Sequence, residues 1–173
     1  KNLDIGKYIL RETKTRKEYK IALEQNITIE WGKTLNLTIE NEKMKGKVKI
    51  TKISEDDNLI TGEVAGTPIA NVKFEIYDDS GKLVDTLITK ADGIAISKDL
   101  VVGKYIVKEK ETGEYYEINE NDFEVEITKN GEVVGLTISN KSKTPPPEKP
   151  KEETPKIEVP PIEPIKKLPV TGY

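Results

Sequence analysis

The chain has 173 residues, 35% hydrophobic and 34% charged, and its 28 basic and 31 acidic side chains give a formal net charge of -3. That length and balance support one or two domains around a modest core, and they give no ground for a nucleic acid or an anionic membrane as partner. There is no cysteine and no histidine, so disulfides, thiolate metal sites and the commonest general base are excluded; no cofactor is expected, and any chemistry must run through Lys, Glu, Asp, Asn, Ser, Thr or Tyr.

No apolar run reaches the roughly 20 residues that a membrane helix needs, and no leader pattern opens at Lys1. The first residues instead enter a pattern that recurs further on. LDIGKYILRE begins at Leu3, and LVVGKYIVKE begins at Leu100, 97 positions later. LNLTIENEK begins at Leu35, and VGLTISNKS at Val134, 99 positions later. Two separate motifs at nearly one spacing indicate duplicated units of about one hundred residues. Residues 1–43 are therefore expected to be the C-terminal part of one repeat, and residues 44–142 a complete one. Trp31 follows Ile27 and Ile29 in phase, which predicts a core position for it.

Within 44–142 the hydrophobic period is two. Val48 and Ile50 alternate with lysines, Val72, Phe74 and Ile76 with Lys73 and Glu75, Phe123, Val125 and Ile127 with glutamates, and Leu136 and Ile138 with Thr137 and Ser139. Asp79-Ser80-Gly81, Ala91-Asp92-Gly93 and Asn130-Gly131 are turn signals between these runs. The pattern predicts an all-β fold, an antiparallel β-sandwich of about seven short strands with one packed and one wet face per sheet. Residues 54–70 break the pattern: Asp56-Asp57-Asn58 reads as a turn and Gly62 to Pro68 as a loop, with room for a small extra hairpin.

Three apolar faces each end on a polar residue. Val48 and Ile50 lead to Lys52, Tyr105 and Val107 to Glu109, and Leu136 and Ile138 to Asn140. The upstream unit repeats two of these: Tyr8 and Leu10 lead to Glu12, and Leu37 and Ile39 to Asn41. An unpartnered amine or carboxyl buried in a core costs several kcal/mol, so errors in phase on first, middle and last strands point to one shared site. The same alternation turns Lys47 and Lys49 outward.

Residues 46–142 resemble the SpaA or Cna B-type (prealbumin-like) repeats of Gram-positive adhesins and pilins. The resemblance is carried by Gly46 to Lys52, the Ile69 to Phe74 strand, the Ala91-Asp92-Gly93 turn, Gly103-Lys104-Tyr105 through Glu109, and Ile138-Ser139-Asn140. It implies an Ig-like or prealbumin-like sandwich and an isopeptide bond between Lys52 and Asn140, assisted by Glu109. Segment 54–68 is longer than the turn usual in that family. Apolar surroundings favour a neutral, nucleophilic amine on Lys52, and a protonated Glu109 can donate to the Asn140 carbonyl and stabilise the oxyanion there. Such a reaction occurs once, without turnover, so the chain is not expected to be an enzyme.

The composition shifts beyond this unit: nine of the ten prolines fall in residues 144–173, with five lysines and five glutamates among them. Such a stretch is expected to stay extended and unpacked; residues 145–168 could reach roughly 75 Å. Residues 143–167 read as a wall-spanning linker, and Leu168-Pro169-Val170-Thr171-Gly172 resembles the LPxTG signal of housekeeping sortases. The resemblance implies that a sortase attacks the Thr171 carbonyl, expels Gly172 and joins Thr171 to peptidoglycan. The expectation is a secreted stalk module of a surface adhesin, covalently anchored to the cell wall, with sortase and peptidoglycan as partners and any host extracellular-matrix or cell-surface ligand bound by upstream domains. A minor or basal pilin subunit, or a collagen-type domain that binds ligand directly, is the alternative; the Tyr-Pro-Lys motif expected of a major pilin does not occur in this chain.

Overall fold

The computed structural model describes residues 3–145. Among these residues there are ten strands and no helix: β1 (Gly6–Leu10), β2 (Gln25–Ile29), β3 (Lys45–Ser54), β4 (Lys73–Asp78), β5 (Leu83–Ile88), β6 (Ile94–Ile96), β7 (Leu100–Val101), β8 (Gly103–Glu111), β9 (Asp122–Ile127) and β10 (Val133–Asn140). β3 to β10 form two facing sheets. One has the order β10-β3-β6, with β7 also paired to β3, and the other the order β5-β4-β8-β9.

The inward faces follow the alternation in the sequence. β3 buries Gly46, Val48, Ile50, Lys52 and Ser54 in strict period two, β4 buries Phe74 and Ile76, and β8 buries Tyr105, Val107 and Glu109. With Val72, Leu87, Val125, Ile127 and Ile138 they make one continuous core drawn from both sheets. At ~1.5–3 kcal/mol for each fully buried large apolar side chain, this face-to-face packing is what holds the sandwich together.

Side chains and glycines define the turns. Asp78 Oδ1 accepts from the amides of Ser80 and Lys82, each at 3.0 Å, which closes the β4–β5 hairpin over Gly81. Gly131 has a φ of 78°, and Asn130 Oδ1 accepts from the Lys45 amide at 3.1 Å, tying the β9–β10 turn to the start of β3.

Four expectations change. The sandwich is not wholly antiparallel: β10 runs parallel to β3 over eight paired residues, Val133 opposite Lys47 through Asn140 opposite Ser54, because first and last strands meet as neighbours through a crossover rather than a hairpin. There are eight strands in 44–142 rather than seven, because the stretch after the Gly93 turn splits into the short β6 and β7. The hairpin suggested in 54–70 is reduced to two isolated antiparallel bridges rather than a pair of strands, Asn58 with Glu63 and, at its base, Ile53 with Pro68. Asn58, 1% exposed, organises it by accepting from the amides of Ile60 and Thr61.

Trp31 is the fourth: it is not core but 87% exposed. β2 ends at Ile29 and the chain turns at Trp31-Gly32, with Gly32 at a φ of 65°, so the alternation that predicted burial has stopped. In the upstream unit β1 and β2 form their own antiparallel pair. Leu35, Leu37 and Ile39, which repeat the β10 pattern, are not in a strand and are exposed. Their counterparts in β10 pair with β3, and no counterpart of β3 lies beside them among the described residues.

Gly93 is the glycine on which the site depends. It has a φ of 71°, and a Cβ there would lie 2.4 Å from the Lys52 carbonyl oxygen, whereas Gly66, with a φ of 84°, has open space around it. Gly66→Ala should therefore lower stability by only about 1–2 kcal/mol, the cost of a left-handed residue. Gly93→Ala should cost about 1–3 kcal/mol more through the added clash. Urea unfolding of the two variants checks this, and equal losses would show that the close approach to β3 is unimportant.

Candidate functional site

Lys52, Glu109 and Asn140 converge at one end of the core. β3 and β10 are in parallel register with Lys52 opposite Ile138 and Ser54 opposite Asn140, so Lys52 and Asn140 sit one inward step apart on neighbouring strands. Glu109 arrives from the facing sheet, on β8 opposite Phe74 of β4, next to the register shift between Lys73 and Phe74. The exposures of Lys52, Glu109 and Asn140 are 0%, 6% and 2%.

Their polar atoms engage one another. Lys52 Nζ donates to Asn140 Oδ1 and lies 3.1 Å from Glu109 Oε2. Asn140 Nδ2 donates to Glu109 Oε1 at 2.5 Å and to Thr112 Oγ1 at 2.8 Å. Glu109 Oε2 is within ion-pair distance of the lysine but is not aligned for a hydrogen bond, and it is the one buried side-chain oxygen or nitrogen left without such a partner among the described residues. The other buried polar side chains are satisfied conventionally: Ser97 Oγ accepts from the Val48 amide and Thr89 Oγ1 from the Val72 amide, each at 2.9 Å. The under-satisfied polar atom thus falls on the charged cluster, where a reactive group would sit.

Burial pushes the Lys52 amine below the usual lysine pKa, and the charge and contact of Glu109 oppose that shift without cancelling it. A buried amine held toward its neutral form and placed against a carboxamide is a nucleophile facing an acyl carbon. The expectation that Glu109 faces the Asn140 carbonyl is changed in detail: that oxygen faces Lys52, and Glu109 meets the nitrogen. Lys47 and Lys49 sit on the opposite face of β3, half-buried, and Lys47 Nζ is 3.7 Å from Asp99.

The upstream unit holds a partial copy. Asn41 Nδ2 donates to Glu12 Oε2 at 2.6 Å and to the Lys20 carbonyl at 2.9 Å, and the Ala22 amide donates to Glu12 Oε2 at 2.7 Å. Among the described residues no lysine amine pairs with Glu12. The backbone frame is duplicated too: Lys20 N to Glu42 O recurs as Glu117 N to Lys141 O, and the Tyr19–Lys43 bridge recurs as Tyr116–Ser142.

Sequence reasoning missed Thr112. Its signal was present: Glu109, Thr112 and Tyr116 have the same spacing as Glu12, Thr15 and Tyr19. It went unread because Thr112 lies just past the alternating strand. The sortase-type residues Leu168, Pro169, Val170, Thr171 and Gly172, with most of the linker, lie outside the described residues. No group of three or more acidic residues that could hold a metal occurs among the described residues.

A family model described as the SpaA prealbumin-like fold domain matches residues 46–142. The chain belongs to that family. Among solved structures, the SpaA-type chain resembles the Bacillus anthracis TIE protein with a TM-score of 0.70 and 32% identity, covering 82% of this chain and 26% of that one. It is 33% identical over 81 residues to the trypsin-resistant surface T6 protein of Streptococcus pyogenes, and 34% identical over 99 residues to a collagen adhesin of Staphylococcus aureus. These matches take in 47% and 49% of this chain but only 15% and 8% of the relatives.

The lowered Lys52 pKa has a measurable consequence in Asn140→Ala, which leaves the amine buried with no carboxamide to attack. Below the lowered value both folded and unfolded chains carry the proton, and above the ordinary lysine value of ~10.4 neither does. Between the two the unfolded chain binds more protons, so stability rises with pH across that window. Urea unfolding of Asn140→Ala as a function of pH should show this rise against Asn140→Ala/Lys52→Met; parallel curves would mean that burial does not disfavour the charged amine.

Proposed function

We propose that residues 44–142 are a structural stalk module of a cell-wall-anchored Gram-positive surface protein, locked by an isopeptide bond between Lys52 Nζ and Asn140 Cγ. The observation that carries this reading is a fully buried lysine whose amine meets both a carboxamide and a carboxylate. A permanent ion pair there would be poorly placed, since desolvating two charges costs as much as their attraction returns. Condensation removes the lysine charge.

The steps balance. Lys52 passes one proton to the Glu109 carboxylate, and the neutral amine attacks Asn140 Cγ, forming the Nζ–Cγ bond while charge collects on Oδ1. Glu109 delivers its proton to Nδ2, against which its Oε1 lies, and takes one from Nζ. The Cγ–Nδ2 bond breaks, ammonia departs with three hydrogens, and one hydrogen each stays on the new amide and on Glu109. Holding both groups on paired strands supplies the effective concentration. The product links first and last strands and, by analogy with a disulfide closing a loop of this length, stabilises by roughly 4–5 kcal/mol.

The same reading places residues 1–43 as the end of a preceding repeat, 143–167 as a spacer through the wall, and Leu168 to Gly172 as a sortase substrate through which Thr171 becomes joined to peptidoglycan. Similarity to a surface protein of Streptococcus pyogenes and to a collagen adhesin supports an extracellular, non-enzymatic role. It suits a pilin subunit as well as an adhesin stalk, with any host ligand met by other domains.

Intact-mass measurement tests the bond. The chain should be lighter than its sequence by one ammonia, and Lys52→Ala or Glu109→Ala should restore the full mass and lower the melting temperature; a parent chain at full mass would refute the reading. Incubation with a housekeeping sortase and a glycine nucleophile should release Gly172-Tyr173. Equal processing of Thr171→Ala would remove the anchoring assignment.

A further inference from the structure

We propose that Thr112 is a positioning residue for the condensation of Lys52 with Asn140: its Oγ1 holds the nitrogen that departs and so fixes which end of the carboxamide faces the lysine. The inference rests on the isopeptide reading above and deepens it. A carboxamide has two ends of similar shape and opposite hydrogen-bonding character. Reaction needs the nitrogen beside the proton carrier. In the structure both N–H bonds of Asn140 are used, one by Glu109 Oε1 at 2.5 Å and one by Thr112 Oγ1 at 2.8 Å, while Oδ1 is turned to Lys52.

Glu109 alone holds this orientation poorly through the reaction. Once it has taken the lysine proton it is a donor as well as an acceptor, and it can then satisfy the flipped carboxamide equally well. The Thr112 hydroxyl gives the nitrogen a second, independent contact. It also accepts and donates, so the contact survives as Nδ2 changes from a planar amide donor to a pyramidal amine with a lone pair.

The upstream unit provides an internal comparison. Thr15 stands at the same distance in sequence from Glu12 and lines one recess with Tyr19 and Asn41. There Asn41 gives its second N–H to the Lys20 carbonyl, so the carboxamide takes a different pose where no lysine is beside it.

The test uses the full 173-residue chain, made by cell-free translation, quenched in acid at intervals and read by intact mass as the fraction that has lost one ammonia. Thr112 is partly exposed just past β8, so the shape-matched Thr112→Val should keep the strand signal in circular dichroism. It should link about tenfold more slowly, the equivalent of one lost hydrogen bond, and Thr112→Ser should restore the parent rate. The pH profile of linking should keep its shape in Thr112→Val while its height falls, because Lys52 and Glu109 are unchanged. Linking of Thr112→Val at the parent rate, or Thr112→Ser as slow as Thr112→Val, overturns the positioning role while leaving the bond itself standing. If Thr112→Val loses its strand signal, Thr112→Ala is judged by the same rates. A parent chain that never loses ammonia refutes the isopeptide reading and Thr112 with it.

Discussion

A lysine amine in a hydrophobic core is the constraint around which the rest of this domain is arranged. Transferring an isolated ammonium out of water is far too costly for a domain of this size to tolerate, so the fold must bring partners to it. It does so from both sheets: Asn140 from the strand beside Lys52, and Glu109 from the sheet opposite. Gly93, with no Cβ, lets the β6 turn close against the Lys52 carbonyl, and its own carbonyl accepts from the Lys52 amide at 2.8 Å. Backbone contact on one side and side-chain contact on the other leave the lysine little freedom. The arrangement leaves Glu109 Oε2 3.1 Å from the amine without an aligned hydrogen bond, and the proposed covalent amide would remove the lysine charge from this buried cluster.

Much of this was legible in the sequence because a β-sheet writes its faces at period two. Val48, Ile50 and Lys52 had to share a face whatever the topology, and so did Leu136, Ile138 and Asn140. That argument needs only local geometry, and it holds for every inward set in 44–142. Strand order and direction are not local, which is why the parallel pairing of β3 with β10 could not be read: alternation is the same for parallel and antiparallel neighbours. Trp31 shows the opposite limit. Phase predicts burial only while the strand continues, and the turn at Gly32 ended it. Thr112 was missed for a related reason, since it lies beyond the strand that the pattern describes.

The two units show how much of the site is set by local sequence and how much by pairing. Glu12 and Asn41 find each other at 2.6 Å with the same flanking backbone bonds as Glu109 and Asn140, although Leu35 to Asn41 form no strand. The segment from Glu12 to Ala22 therefore meets the asparagine without a paired strand beneath it, through the Glu12 carboxylate and the Lys20 carbonyl. What the upstream copy does not reproduce is burial: Glu12 and Asn41 are only partly covered, and Leu37 and Ile39 are exposed. In the complete unit β3 supplies the missing wall, giving β10 a partner and closing the apolar face. The strand that carries Lys52 is thus also the strand that makes the site dry, so in the proposed reaction the amine would become a nucleophile only as the core forms around it.

The parallel pairing gives the proposed cross-link its mechanical meaning. β3 begins near the N-terminal boundary of the domain and β10 ends near its C-terminal boundary, and the strands are neighbours pointing the same way. Tension on the two ends drags β3 and β10 past each other along their length, so the ladder between them is loaded in shear, with its hydrogen bonds sharing the force rather than opening one at a time. Lys52 and Asn140 lie toward the C-terminal ends of both strands. With a bond between them, force entering at Gly46 runs along β3 to Lys52, crosses one amide and leaves at Asn140. The remaining strands, including all of the sheet that carries Glu109, lie outside that path. A sandwich cross-linked in this way would survive pulling not because its core is unusually strong, but because the core is not in the line of force.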